Sequence, residues 1–131
     1  GEICRTERPD GIAAYSNGGG IAQLVAAARE GGPDVFQSNR FLMSFAGATS
    51  PTMQRHIRDL IGPAKDRISI PALIFGSARD PMLTNARQMA SDIYENCTLV
   101  VVDEDRPFAN HALPDNEAAY EPIVAFLKSQ V

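Results

Sequence analysis

Four short runs of strand-forming residues alternate with stretches whose apolar side chains recur every three to four positions, and this alternation leaves few folds open. The first run is Gly11-Ile12-Ala13-Ala14-Tyr15, followed at once by Ser16-Asn17-Gly18-Gly19-Gly20. Ile21, Leu24, Val25 and Ala28 then fall at the spacing of one helix face. Gly31-Gly32-Pro33 ends that helix, since glycine suits the cap and proline cannot continue the ladder. The second run, Arg40 to Ala46, is apolar on both parities, as a strand covered on both faces requires. Ser50 offers an N-cap and Pro51 is pre-set for the first helical position. Met53, Ile57, Leu60 and Ile61 form the apolar stripe of that helix, which Gly62-Pro63 closes. The third run, Ala72 to Gly76, is entered through Ile70-Pro71 and precedes a face of Ala86, Met89, Ala90, Ile93 and Tyr94. A valine-rich fourth run spans Thr98 to Asp103, and Ala119, Ile123, Phe126 and Leu127 mark a closing helix. Pro122 predicts a kink there, or a helix that starts close to it.

Strands separated by helices predict an α/β fold with a doubly wound, mostly parallel sheet. Its crossovers are right-handed, and function gathers at the carboxyl ends of the strands. The 131 residues suit one domain, residues 1–131. The longest apolar runs, such as Leu99-Val100-Val101-Val102, fall far short of the roughly 20 residues a spanning helix needs. With 12 basic against 16 acidic side chains and no basic cluster, a nucleic-acid partner is not expected. Cys4 and Cys97 read as free thiols in a reducing compartment rather than as a disulfide scaffold. The first ten residues are polar, with no apolar stretch of signal length, so a signal peptide is not expected there. The expectation is a cytoplasmic protein, with an organelle as the alternative.

The turn Ala14-Tyr15-Ser16-Asn17-Gly18 between the first strand and its helix has the form of a nucleophile elbow, G-x-S-x-G, with Ala14 at the leading position. Small flanking residues let the backbone bend tightly and expose the serine oxygen, and the helix N-terminus stabilises developing negative charge. A Ser-Asn-Gly turn also serves simply as a helix cap. Two further residues favour chemistry. Asp80 follows the third strand in Gly76-Ser77-Ala78-Arg79-Asp80-Pro81, and His111 follows the fourth in Phe108-Ala109-Asn110-His111-Ala112-Leu113-Pro114. Nucleophile, acid and histidine thus occur in the chain order of an α/β-hydrolase, all beyond carboxyl ends of strands. Each has a plain alternative: Asp-Pro opens turns, and a loop histidine need do nothing. Their joint placement favours a Ser16-Asp80-His111 triad, with the Asn17 N–H as one oxyanion donor.

Other features read more simply. Gly18-Gly19-Gly20 lacks the spacing of a phosphate-binding loop and suits close helix–sheet packing. His56, beside Arg55 and Arg58, belongs to a solvated helix face. Asp103-Glu104-Asp105 reads as a charged turn, and nothing has zinc or EF-hand spacing. Cys97, at a strand entrance, reads as buried.

The segment Pro9 to Gly18 resembles the elbow of a family of serine hydrolases (FSH) that includes yeast serine hydrolases and the ovarian-tumour-associated hydrolase. Ile70 to Pro81 is similar to its acid loop, and Asn110-His111-Ala112-Leu113-Pro114 to its histidine loop, where Ala109-Asn110 replaces the usual glycine pair. The resemblance runs from about Pro9 to the C-terminus. It implies an esterase or thioesterase acting on small acyl substrates, without metal or organic cofactor. It also implies that the chain corresponds to the C-terminal half of the fold, lacking the N-terminal strands and the loop with the second oxyanion donor. The first strand's edge is then expected to be covered by another chain or a missing segment. The rival expectation is a non-catalytic, hydrolase-like subunit of a larger assembly. A flavodoxin-like nucleotide-binding module is a third reading, but it accounts for neither Asp80 nor His111.

Overall fold

A computed structural model describes residues 10–31, 40–45, 49–62, 67–102 and 117–130. Strands and helices alternate strictly: β1 Gly11–Tyr15, α1 Asn17–Gly31, β2 Phe41–Phe45, α2 Pro51–Ile61, β3 Ala72–Ser77, α3 Leu83–Asp92, β4 Cys97–Val102 and α4 Glu117–Ser129. The strands form one sheet in the order β1-β2-β3-β4, every pair parallel. They match the runs read from the sequence to within one residue at either end. The expected α/β class is borne out by this parallel, helix-covered sheet.

Successive strand residues point to opposite faces, so the sheet builds two cores. On one face Leu42, Ala72 and Ile74 meet Ala26 and Ala27 of α1, Ile57 and Ile61 of α2, and Met89 of α3. On the other, Met43, Phe45, Leu73, Phe75 and Val102 meet Phe126 of α4. Phe45 stacks on Phe75 with ring centroids 4.9 Å apart, and Phe41 meets Phe126 edge-on at 5.9 Å. Strand β3, paired on both sides and covered on both faces, is buried at every position.

Local signals fix the ends of α2. Ser50 Oγ accepts from the N–H of Met53 at 3.2 Å, Pro51 takes the first helical position, and Gly62 leaves with φ 77°.

Two helix readings need correction. Ile21, expected on the inner face of α1, is 63% exposed; the buried face is Ala22, Gln23, Ala26, Ala27 and Glu30. Small side chains let α1 lie close to the sheet, and the two polar ones are buried with partners. Gln23 Oε1 accepts from the Tyr94 hydroxyl at 3.0 Å, and Glu30 Oε1 accepts from the N–H and the hydroxyl of Ser69 at 2.8 and 2.5 Å. In α2, Leu60 is 41% exposed while Gln54 is buried, its side-chain amide donating to the Thr49 carbonyl at 3.1 Å. Helix α4 begins at Glu117 and carries Pro122 inside it. The proline removes a single donor near the helix start, and the apolar contacts of Ile123 and Phe126 outweigh that loss.

Cys4, the acidic turn Asp103-Glu104-Asp105 and the histidine loop with His111 lie outside the described residues. Among the described residues no helix is long and apolar enough to cross a membrane.

Candidate active site

All four strands run the same way, so their carboxyl ends share one edge of the sheet. Tyr15 stands in register with Phe45, and Phe45 with Phe75. Ser16 leaves the sheet one residue past that line, and the loop bearing Asp80 leaves β3 two residues past it. With about 4.8 Å between neighbouring strands, β1 and β3 are roughly 10 Å apart.

The turn between β1 and α1 is one residue wide. Ser16 has φ 54°, the one positive value outside glycine among the described residues. Its N–H still donates to the Phe45 carbonyl at 2.8 Å, as though the strand continued, while its carbonyl already accepts from the N–H of Gly20 at 3.3 Å in α1. A side chain in this left-handed region is disfavoured by roughly 1–2 kcal/mol, and such strain gathers at functional sites. Strand and helix are in ordinary van der Waals contact here: a Cβ added to Gly18 would lie 3.7 Å from the Ala14 Cβ. Ala14 therefore fits at the leading position opposite a glycine. The first amides of α1, from Asn17 onward, have no acceptor within the helix and sit at its positive end.

The loop bearing Asp80 is tied down donor by donor. The N–H of Ala78 donates to the Val102 carbonyl at 3.0 Å, and that of Asp80 to the Ser77 carbonyl at 3.1 Å. The N–H of Arg79 donates to Ser77 Oγ at 3.2 Å. Pro81 has no donor. The N–H of Met82 donates to Asp80 Oδ1 at 2.8 Å, and that of Leu83 to the Asp80 carbonyl at 3.0 Å. The Asp-Pro pair thus does open a turn, as its plain reading has it. The turn engages only one carboxylate oxygen, and Oδ2 remains able to accept from another group. A Cβ on Gly76 would meet Leu83 Cδ1 at 3.0 Å, which shows how tightly α3 sits against β3.

Of the three triad candidates, Ser16 and Asp80 share the carboxyl edge of the sheet, with Asn17, Gly18 and Ala14 around the first. The weaker candidates stay weak. His56 is exposed on α2. Burial pushes the Cys97 thiol up to about 12, so it is protonated and unreactive near neutrality. Tyr94 is raised as well, by its own burial first and then by Cys97 beside it. Among the described residues no group of three His, Cys, Asp or Glu could hold a metal ion.

Two residues of this edge escaped the sequence reading. Ser77 is fully buried and its hydroxyl helps to form the acid turn. A hydroxyl residue at a strand's last position is the available signal, since serine bonds the backbone two residues on. Ser44, in register with Ala14, is buried with no hydrogen-bond partner for its Oγ among the described residues. No sequence signal marks that.

Comparison with curated proteins and with solved structures gives no match. The family model described as Serine hydrolase (FSH1) matches residues 2–121, nearly the whole chain and every element up to the early part of α4. With a strained serine at a strand–helix turn inside that match, the chain belongs to the serine hydrolase (FSH1) family.

Proposed function

We propose that the protein hydrolyses small carboxylic esters or thioesters through an acyl-enzyme, with Ser16 as nucleophile, His111 as general base and Asp80 as the acid that orients it. The observation that carries this reading is Ser16 at φ 54° between β1 and α1. A cap needs no such strain, whereas a nucleophile needs the exposure that the sharp turn provides. In the first step Ser16 Oγ bonds to the acyl carbon and its proton passes to the His111 imidazole. The oxyanion that forms faces the Asn17 N–H at the positive end of α1. Collapse breaks the ester C–O or thioester C–S bond, and the imidazolium returns the proton to the leaving group. Water then repeats the sequence on the acyl-Ser16 and releases the acid.

The test is covalent labelling of the full chain with a fluorophosphonate probe, with Ser16→Ala as control. Labelling that disappears in Ser16→Ala supports an activated nucleophile. A folded chain that takes no label sinks the enzyme reading and leaves a hydrolase-like binding subunit.

A further inference from the structure

We infer that Ser77 is a positioning residue for Asp80, acting through its buried hydroxyl on the turn that carries the carboxylate. The inference rests on the reading of Asp80 as the triad's acid. Ser77 ends β3, opposite Val102 of β4, and the ladder between these strands runs one bond further, to the N–H of Ala78. The next two donors, on Arg79 and Asp80, both fall on Ser77: one on its Oγ, one on its carbonyl.

Any residue at this position would supply the carbonyl. An acceptor two residues behind Arg79, on a side chain short enough for a fully buried site, is what serine adds. Every backbone donor from Ala78 to Leu83 has a partner, Pro81 having none to offer. Among those acceptors, Ser77 Oγ is the one side-chain group that Asp80 does not itself provide. Ala78 and Arg79 are exposed, so without that hydroxyl the Arg79 N–H can turn to water and the turn loosens. Ser77 thereby transfers the rigidity of a buried strand to a carboxylate three residues away. A misplacement of about 1 Å at a catalytic group costs up to about 100-fold in rate.

The experiment is a double-mutant cycle in the full chain, with p-nitrophenyl butyrate turnover as the readout and the rate of fluorophosphonate acylation as a second measure. Ser77→Ala is expected to lower kcat about tenfold with KM within about twofold, and to speed amide exchange at Arg79 while melting within a few degrees of the parent. Asp80→Asn is expected to lower kcat further, and adding Ser77→Ala to it is expected to change nothing more, because the serine acts through the carboxylate. Equal factors in both backgrounds overturn the inference. So does an unchanged kcat in Ser77→Ala when Asp80→Asn has lost its rate, and that result leaves the triad reading intact. Parent-like turnover in Asp80→Asn removes the triad reading and this inference with it.

Discussion

The N–H of Ser16 donates to the Phe45 carbonyl at 2.8 Å even though Ser16 has already left the strand conformation, at φ 54°. The β1–β2 ladder therefore reaches the residue at which the chain bends and holds it there. A strained conformation persists only where its surroundings over-determine it, and here the ladder on one side and α1 on the other do so.

That strain is measurable. Ser16→Ala keeps a Cβ in the left-handed region, whereas Ser16→Gly removes it. Both variants lose fluorophosphonate labelling, and Ser16→Gly is expected to be more stable than Ser16→Ala by about 1 kcal/mol in urea unfolding. Equal stabilities would mean that the turn is relaxed.

Ser44 offers the opposite case, a polar group whose removal should help. Its Oγ is buried and has no partner among the described residues. A hydroxyl in that state contributes only its lost hydration, so Ser44→Ala is expected to be neutral or to stabilise by up to about 1 kcal/mol. A loss of more than about 1 kcal/mol in the same assay would reveal a bond that this hydroxyl makes.

Gly11 is fixed by its neighbour. A Cβ on it would fall on the Phe41 ring, which in turn meets Phe126 of α4 edge-on. Gly11→Ala is expected to cost about 1–3 kcal/mol, through displacement of that ring. Pairing it with Phe41→Leu should recover part of the loss; two additive losses would show that the ring is not the obstacle.

Alkali should unfold the protein through a buried phenol and a half-buried thiol. The Cys97 thiol is pushed up to about 12 by burial, and Tyr94 is raised by its burial and by Cys97. In the unfolded chain these groups titrate near about 8.5 and 10. Above those values the unfolded state holds fewer protons than the folded one, so stability falls as pH rises. The contribution is complete below about pH 8.5 and is lost between there and about 12. Urea midpoints should decline over pH 9–11, less steeply in Cys97→Ala. A parent and variant with the same slope would show that this thiol contributes nothing to it.

The strands were legible because each is a short apolar run bounded by turn residues, and the sharp turn at Ser16 because small residues stand between a strand and a helix pattern. Helix faces were less so. Apolar periodicity assigns Ile21 and Leu60 to the inside, but the structure seats small residues of α1 against the sheet and leaves Ile21 63% and Leu60 41% exposed. Gln23 and Glu30 are buried because Tyr94 and Ser69 satisfy them, and those partners stand 71 and 39 residues away in the chain. Local pattern cannot register a bond made at that distance. Ser77 shows the same limit at short range: its role depends on which backbone donor the turn leaves over.

The order β1-β2-β3-β4 has a consequence for synthesis. Each of these strands lies beside the one translated just before it, so its docking edge already exists when it leaves the ribosome. No described strand has to be inserted between two that have paired. The described part of the sheet can grow vectorially from one side, each crossover helix closing over its strand pair in turn, and the edge that receives the next strand is always that of the strand made last.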